Sequence, residues 1–252
     1  MKYNFDEIID RKNTNSENVD GWRPYIFKCG PERKFNYADE EFIRMWVADM
    51  EFAVAPEIRQ AVKDRVDRKI LGYTIVSDEG YYDALQKWCA ERYDWTFDKE
   101  ELVFSPGVIP ALYQLVEDLV APDEKVLTMT PAYGFFQHAC EYNNVELVKS
   151  ALKKENGTFK IDFDDLEKKA ADPKVRVLML CNPHNPSGRI WTPEELRHIA
   201  DIVEKNHLWI ISDEIHCDLI RSNLRHTPMG KIMPDYSQLI TCISANDVKQ
   251  TR

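Results

Sequence analysis

Apolar positions change their spacing near residue 100, and the change separates two styles of chain. From Pro56 onward Ile58, Val62, Val66 and Ile70 recur at helical spacing, with Gly72 as a stop. A second helix is predicted over 78–93, with Tyr82, Leu85, Trp88 and Cys89 on one face. Beyond residue 100, short apolar runs alternate with amphipathic stretches. The runs are Leu102–Phe104, Lys125–Met129, Val145–Lys149, Val175–Cys181, Leu208–Ser212 and Leu239–Ser244, and helices are predicted at 108–120, 134–143, 163–171 and 193–205. The last helix has a legible start: Thr192 as N-cap, Pro193 in the first helical position and Glu195 completing a capping box. Strands alternating with helices give an α/β domain with a largely parallel sheet, whose ligands sit beyond the carboxyl ends of the strands. Residues 1–54 are polar and weakly periodic, and read as an arm that wraps another surface.

Composition narrows the function mainly by exclusion. A formal charge of −10 over 252 residues disfavours nucleic acid and anionic membrane as partners. No apolar run approaches the roughly 20 residues of a spanning helix, and the N-terminal residues lack the apolar stretch of a secretion signal. Six scattered cysteines without a Cys-x-x-Cys pair suit a reducing cytoplasm and read as small buried apolar residues. There is no internal repeat and no low-complexity segment.

Four loops after the predicted strands could carry chemistry. Ser105-Pro106-Gly107-Val108-Ile109-Pro110 opens a helix whose free N–H groups and positive end could hold a phosphate, although a plain strand–helix turn reads the same way. Its lone glycine excludes a dinucleotide fingerprint or a Walker loop. Thr130-Pro131-Ala132-Tyr133 follows the Lys125–Met129 run, and its aromatic could stack on a flat ring or simply belong to the core. Cys181-Asn182-Pro183-His184-Asn185-Pro186-Ser187-Gly188 holds two Asn-Pro dipeptides and a glycine, which specify a rigid loop able to offer the Asn185 amide as a donor. Asp213, in Ser212-Asp213-Glu214-Ile215-His216-Cys217-Asp218, is a carboxylate at a buried strand end and needs a positive partner. A metal site from Asp213, Glu214, His216 and Asp218 is the rival reading, disfavoured because these residues alternate faces without ligand spacing. His138, His198 and His226 read as helix-surface or loop residues.

In this order the four loops are similar to the motif series of fold-type-I pyridoxal-phosphate enzymes, the aminotransferase class I/II superfamily. Trp46-Val47-Ala48-Asp49-Met50-Glu51-Phe52, Leu71-Gly72-Tyr73, Thr130-Pro131-Ala132-Tyr133 and Asp213-Glu214-Ile215-His216 resemble its MalY/PatB branch of cystathionine β-lyases. The resemblance runs from about residue 3 to residue 244. It implies that Val108 and Ile109 give backbone N–H groups to the phosphate of pyridoxal 5′-phosphate and that Tyr133 stacks on its ring. It further implies that Asn185 bonds the 3′ oxygen, that Asp213 keeps the ring nitrogen protonated, and that His216 stands where many relatives place a tyrosine. Asp49 and Met50 would line the substrate pocket, and Tyr73 would reach into the partner's site in a homodimer. The implied reaction is β-elimination from cystathionine or a cysteine conjugate, giving a thiol, pyruvate and ammonia, with a lysine removing the Cα proton. An aminotransferase would share every one of these contacts, and a non-catalytic fragment or regulatory partner is the reading from a different class.

One departure stands out. Relatives carry the cofactor-binding lysine just after the strand matching Leu239–Ser244, and here positions 245–247 read Ala-Asn-Asp, with Lys249 nearby but out of register. The resemblance implies an arm and the start of a small domain in 1–54 and a large cofactor domain in 55–252, incomplete at its end, with the C-terminal small domain missing. The expectation is a frameshift, premature stop or broken gene model, and a poorly soluble fragment with little lyase activity.

Overall fold

The computed structural model describes residues 3–75 and 78–244, which fall into two compact units, one up to Gly72 and one from Tyr73. The first unit carries α1 (Glu17–Asp20), α2 (Trp22–Ile26) and α3 (Pro56–Asp67). Its local core is aromatic: Trp22 and Phe42 have ring centroids 4.9 Å apart, Phe27 and Phe35 4.8 Å, and the Arg23 guanidinium lies 4.8 Å from the Trp22 ring. α3 starts on Pro56, whose fixed φ and missing N–H suit a first helical position. Of its stripe Ile58 is half-buried while Val62 and Val66 are exposed, and no residue of α3 is buried. Periodicity determines which face a helix can bury, and it leaves open what covers that face.

The second unit is built on a five-stranded sheet. Its elements are α4 (Glu79–Tyr93), α5 (Val108–Leu119), β1 (Lys125–Thr130), α6 (Gly134–Tyr142), β2 (Glu146–Ala151), β3 (Lys153–Glu155), β4 (Thr158–Lys160), α7 (Phe163–Ala170), β5 (Val175–Cys181), α8 (Pro193–Lys205), β6 (Trp209–Asp213), α9 (Met229–Ile232) and β7 (Leu239–Cys242). The sheet order is β2-β1-β5-β6-β7 with every pair parallel, and β3–β4 is a separate antiparallel hairpin. Strand β5 reads Val-Arg-Val-Leu-Met-Leu-Cys because both of its faces are covered, so alternation gives way to a continuous apolar run. Val177, Met179, Cys181 and Ile211 point to the face covered by α5 and α6, through Leu112, Val116, Phe136 and Ala139. Leu178, Leu180 and Ile210 point to the other face, against Leu166 of α7 and Leu196 and Ile199 of α8. Each such fully buried Leu or Ile contributes about 1.5–3 kcal/mol.

The run Leu102–Phe104 is not a strand. A 3-10 turn at Lys99–Glu101 leads into irregular chain there, with Val103 85% exposed and Phe104 55%. A strand exists only with a ladder partner, and among the described residues none lies beside this run. Among the described residues the last strand, β7, pairs on one edge only. Gln238 and Cys242 carbonyls accept from Ile210 and Glu214 on the β6 side, so Leu239, Thr241 and Ile243 turn their backbone groups outward. These three residues line a cavity of about 180 Å³ together with Trp95, Leu102 and Tyr236.

Candidate cofactor-binding edge

The chemistry-bearing loops of the second unit converge because its strands are parallel and end in register. Cys181 pairs with Asp213 and Asp213 with Cys242. Carrying the Thr128–Met179 register on by two residues brings Thr130 level with Cys181. Thr130, Cys181, Asp213 and Cys242 therefore form one row across adjacent strands, spaced by about 4.8 Å per step. The order reverses between β1 and β5: the chain leaves β1 toward β2, then returns to β5 on the other side. Such a reversal opens a crevice at the carboxyl ends of the strands. Helix α5 joins β1 through residues 120–124 and packs Leu112 and Val116 on the sheet, so it runs antiparallel to the strands. Its N-terminus consequently lies at this same edge.

The polar groups at the edge are few and differ in kind. Asp213 is 2% exposed and shares the α5–α6 face with Ile211, and its Oδ1 accepts the Ile215 N–H at 3.2 Å. The flanking thiols add no charge beside it. Burial pushes Cys242 up to about 12, helped by the Asp213 and Glu214 carboxylates, and burial likewise raises Cys181. At the start of α5 no side chain caps the helix. The N–H groups of Val108 and Ile109 thus have no intrahelical acceptor, and Pro110 has no N–H at all. Tyr133 is half-buried at the N-cap of α6, its ring 5.3 Å from Phe135.

The loop after β5 is pinned at both ends while Asn185 stays open. His184 and Arg189 form a backbone bridge, with His184 N–H donating to Arg189 O at 2.7 Å and Gly188 N–H to His184 O at 2.8 Å. Gly188 takes φ of +68°, where a side chain would be strained. The His184 ring, buried against Trp191, bonds Ser187 Oγ at 2.7 Å. Burial, and then Arg189, lower its pKa to about 4, so it is neutral at ordinary pH. Trp191 Nε1 donates to the Cys181 carbonyl at 2.9 Å. Asn185 gives its backbone N–H to Cys181 Sγ at 3.2 Å, and its half-buried carboxamide makes no hydrogen bond among the described residues.

Other residues singled out by the sequence take different places. The four members of the rival metal reading disperse. Glu214 turns to Ser212, His226 and the Met229 N–H, and Asp218 accepts from Trp88 Nε1 at 3.2 Å and Tyr93 Oη at 2.5 Å. His216 is half-buried in the turn after β6. No group of three or more potential ligands is placed to hold a metal among the described residues. Asp49 and Met50 belong to the first unit, where Asp49 pairs with Arg11 at 2.5 Å. Tyr73, the first residue of the second unit, is fully exposed, and Lys249 lies outside the described residues. His226 lies in a loop, as the sequence reading has it, but it is 4% exposed rather than at the surface and bonds Glu214 Oε2 at 2.7 Å. Nothing in the spacing of Glu214 and His226 announces this pair, because the loop between them is aperiodic.

Comparison with known proteins agrees with this arrangement. The pattern of the aminotransferase class I and II family matches residues 40–245. The chain is 37% identical to cystathionine beta-lyase PatB of Bacillus subtilis (strain 168), over 95% of this chain and 59% of that protein. It is 30% identical to protein MalY of Escherichia coli (strain K12), over 91% of this chain and 56% of that one. Among solved structures, the PLP-bound C–S lyase from Staphylococcus hominis superposes with a TM-score of 0.89 at 43% identity, over 99% of this chain and 60% of that chain. Cystalysin from Treponema denticola, which contains pyridoxal 5′-phosphate, gives 0.88 at 33%, over 99% and 61%. The chain thus spans about 60% of the length of these relatives. Among the described residues no helix is long and apolar enough to cross a membrane. With its sheet, its loop series and more than four-fifths of its length matching one pattern, the chain belongs to the aminotransferase class I and II family.

Proposed function

We propose that this chain is the cofactor-holding part of a pyridoxal-phosphate-dependent carbon–sulfur β-lyase acting on cystathionine or related cysteine conjugates. The observation that carries the reading is the placement of Asp213, a carboxylate 2% exposed in the row of strand ends, at the same edge as the open start of α5 and the Asn185 loop. The donor set around it fits pyridoxal phosphate. Asp213 would hold the ring nitrogen protonated, the open Asn185 carboxamide would donate to the 3′ oxygen, and Tyr133 would cover a ring face. The free N–H groups of Val108 and Ile109, with the positive end of the twelve-residue α5, would take the phosphate. When bound, the protonated ring supplies an electron sink for charge developing at the substrate Cα. His216 is assigned to the 3′-oxygen side, and Asp49 and Met50 to the substrate, as the resemblance implies.

Positions 245–247 carry no lysine, so this chain's own candidate for a covalent link is Lys249. Full turnover is assigned to the whole protein, proposed as a cytoplasmic homodimer. The exposed run Ile70, Leu71, Tyr73 and Ile75 supports such pairing, being apolar surface of the kind subunit contacts cover. The test is a spectrum of the purified chain with added pyridoxal phosphate, followed by borohydride reduction and peptide mapping. The reading expects a perturbed cofactor spectrum that is lost in D213A, and an unperturbed spectrum would refute it. An aminotransferase would use the same contacts. Pyruvate released from cystathionine without a keto-acid acceptor, measured on the whole protein, separates the two.

A further inference from the structure

Under the edge of the sheet, on the side away from α5, lies a buried polar cluster that the proposed chemistry does not use. Glu214 is 1% exposed, and its carboxylate takes three donors: Ser212 Oγ at 2.7 Å and the Met229 N–H at 2.9 Å on Oε1, and His226 Nε2 at 2.7 Å on Oε2. One residue beyond β5's last contact row, the same loop is held again, because Asn182 Nδ2 donates to the Thr227 carbonyl at 3.0 Å. Asn182 is itself fully buried and gives its N–H to the Asp213 carbonyl at 2.9 Å. Glu214 gives its N–H to Cys242 at 2.8 Å. The outer side of His226 meets the Tyr93 ring edge-on at 5.3 Å, and Tyr93 is in turn tied to Asp218.

We infer that the segment His226–Met229 is a positioning clamp that fixes the carboxyl ends of β5 and β6, and through them the Asn185 loop and the Asp213 carboxylate. Its role in cofactor binding rests on the function proposed above, whereas the clamp itself rests on geometry. The physical reason lies in alternation along the strand. Glu214 follows Asp213 directly and turns to the opposite side, so anchoring the Glu214 carboxylate sets the backbone from which Asp213 projects. Asn182 performs the same service three residues before Asn185. His226 and Glu214 are thus positioning residues, and neither touches the proposed cofactor. A buried carboxylate with three donors is rigid, and removing one strong donor leaves charge without compensation.

The test compares wild type, His226→Leu and His226→Gln in the full chain, with Leu166→Ala, in the α7 part of the core on the same face of the sheet, as a control for lost stability. Gln keeps an N–H donor near the position of Nε2, and Leu keeps bulk alone. Amide hydrogen exchange without cofactor is read at Asn182, Asn185 and Ile215, whose N–H groups are held by Asp213 O, Cys181 Sγ and Asp213 Oδ1. The expected result is exchange at least about tenfold faster at these three amides in His226→Leu, restored in His226→Gln and unchanged in Leu166→Ala. Ser212→Ala, a milder change for the case where His226→Leu does not fold, should show the same local pattern at lower amplitude. Exchange at the three amides no faster than in Leu166→Ala would overturn the clamp. A parallel titration with pyridoxal phosphate should show about tenfold weaker binding in His226→Leu. If wild type binds no cofactor, the lyase reading falls while the exchange data still decide the clamp.

Discussion

Replacing Asp213 with Asn separates the charge of this residue from its shape. The Asn Oδ1 can still accept the Ile215 N–H at 3.2 Å, so the turn after β6 keeps its bond while the carboxylate charge disappears. A hydrogen bond to a charged group contributes about 1.5–3 kcal/mol against 0.5–1.5 for a neutral one, so at least about 1 kcal/mol of affinity for a ring cation should go. The upper bound comes from burial. At 2% exposure, breaking one side of a buried ion pair costs about 3–5 kcal/mol. Pyridoxal-phosphate affinity should therefore fall between roughly fivefold and a few thousandfold. Inorganic phosphate, which would use only Val108, Ile109 and the α5 terminus, should compete equally well in both forms. A thermal melt of the cofactor-free chain checks that both forms are folded. The assay is a fluorescence titration with cofactor at fixed salt, with phosphate competition and a thermal melt on the same samples. Equal dissociation constants for the two proteins, or a loss shared by phosphate, would refute the assignment of Asp213 to the ring nitrogen.

Further outcomes follow from burial. Cys89, Cys140, Cys217 and Cys242 have thiols pushed up to about 12 by burial, so at pH 8 only about one in ten thousand molecules carries each thiolate. A thiol-titrating reagent should therefore modify half-buried Cys29 rapidly and the five buried cysteines only after denaturant is added; fast reaction of two or more would contradict this packing. His184 has its folded pKa lowered to about 4, so on acidification the unfolded chain takes up the proton first. Between about pH 6.5 and pH 4 this histidine should cost up to about 1.4 kcal/mol of stability per pH unit, and urea melts of His184→Gln should lack that part of the slope. Trp191→Phe leaves the buried Cys181 carbonyl without its 2.9 Å donor and should cost about 1–3 kcal/mol, or about 2–4 °C of melting temperature per kcal/mol. An unchanged melt would mean that the indole bond is dispensable.

The elements of the second unit were largely legible because their causes are local. The capping box at Thr192 and Glu195 forms as the sequence implies, with the Thr192 N–H to Glu195 Oε2 at 2.9 Å and the Glu195 N–H to Thr192 Oγ1 at 3.2 Å. The apolar run of β5 and the stripe of α8 likewise carry their periodicity on the surface of the sequence. Loops between these elements were located for the same reason, which brought Tyr133, Asn185 and Asp213 to notice before any geometry was known. The parallel sheet was expected and is present, whereas several particular contacts with distant partners were not legible. Leu102–Phe104 has a strand's composition and no neighbour to pair with, and α3 has an amphipathic stripe with no buried residue. His226 reads as a loop histidine, and only the fold set it against Glu214.

By itself the sequence determined that this is an α/β chain with strand-end loops of unusual composition, because caps, turns and hydrophobic periods are written in residues a few positions apart. Only the tertiary structure decided that Cys181, Asp213 and Cys242 stand in one row, that the start of α5 lies at the same edge, and that Glu214 points away from it into a clamp of its own. Strand order, register and the choice of face arise from contacts between segments far apart in the chain. Their free energy is shared over many residues, so no single stretch of sequence records them.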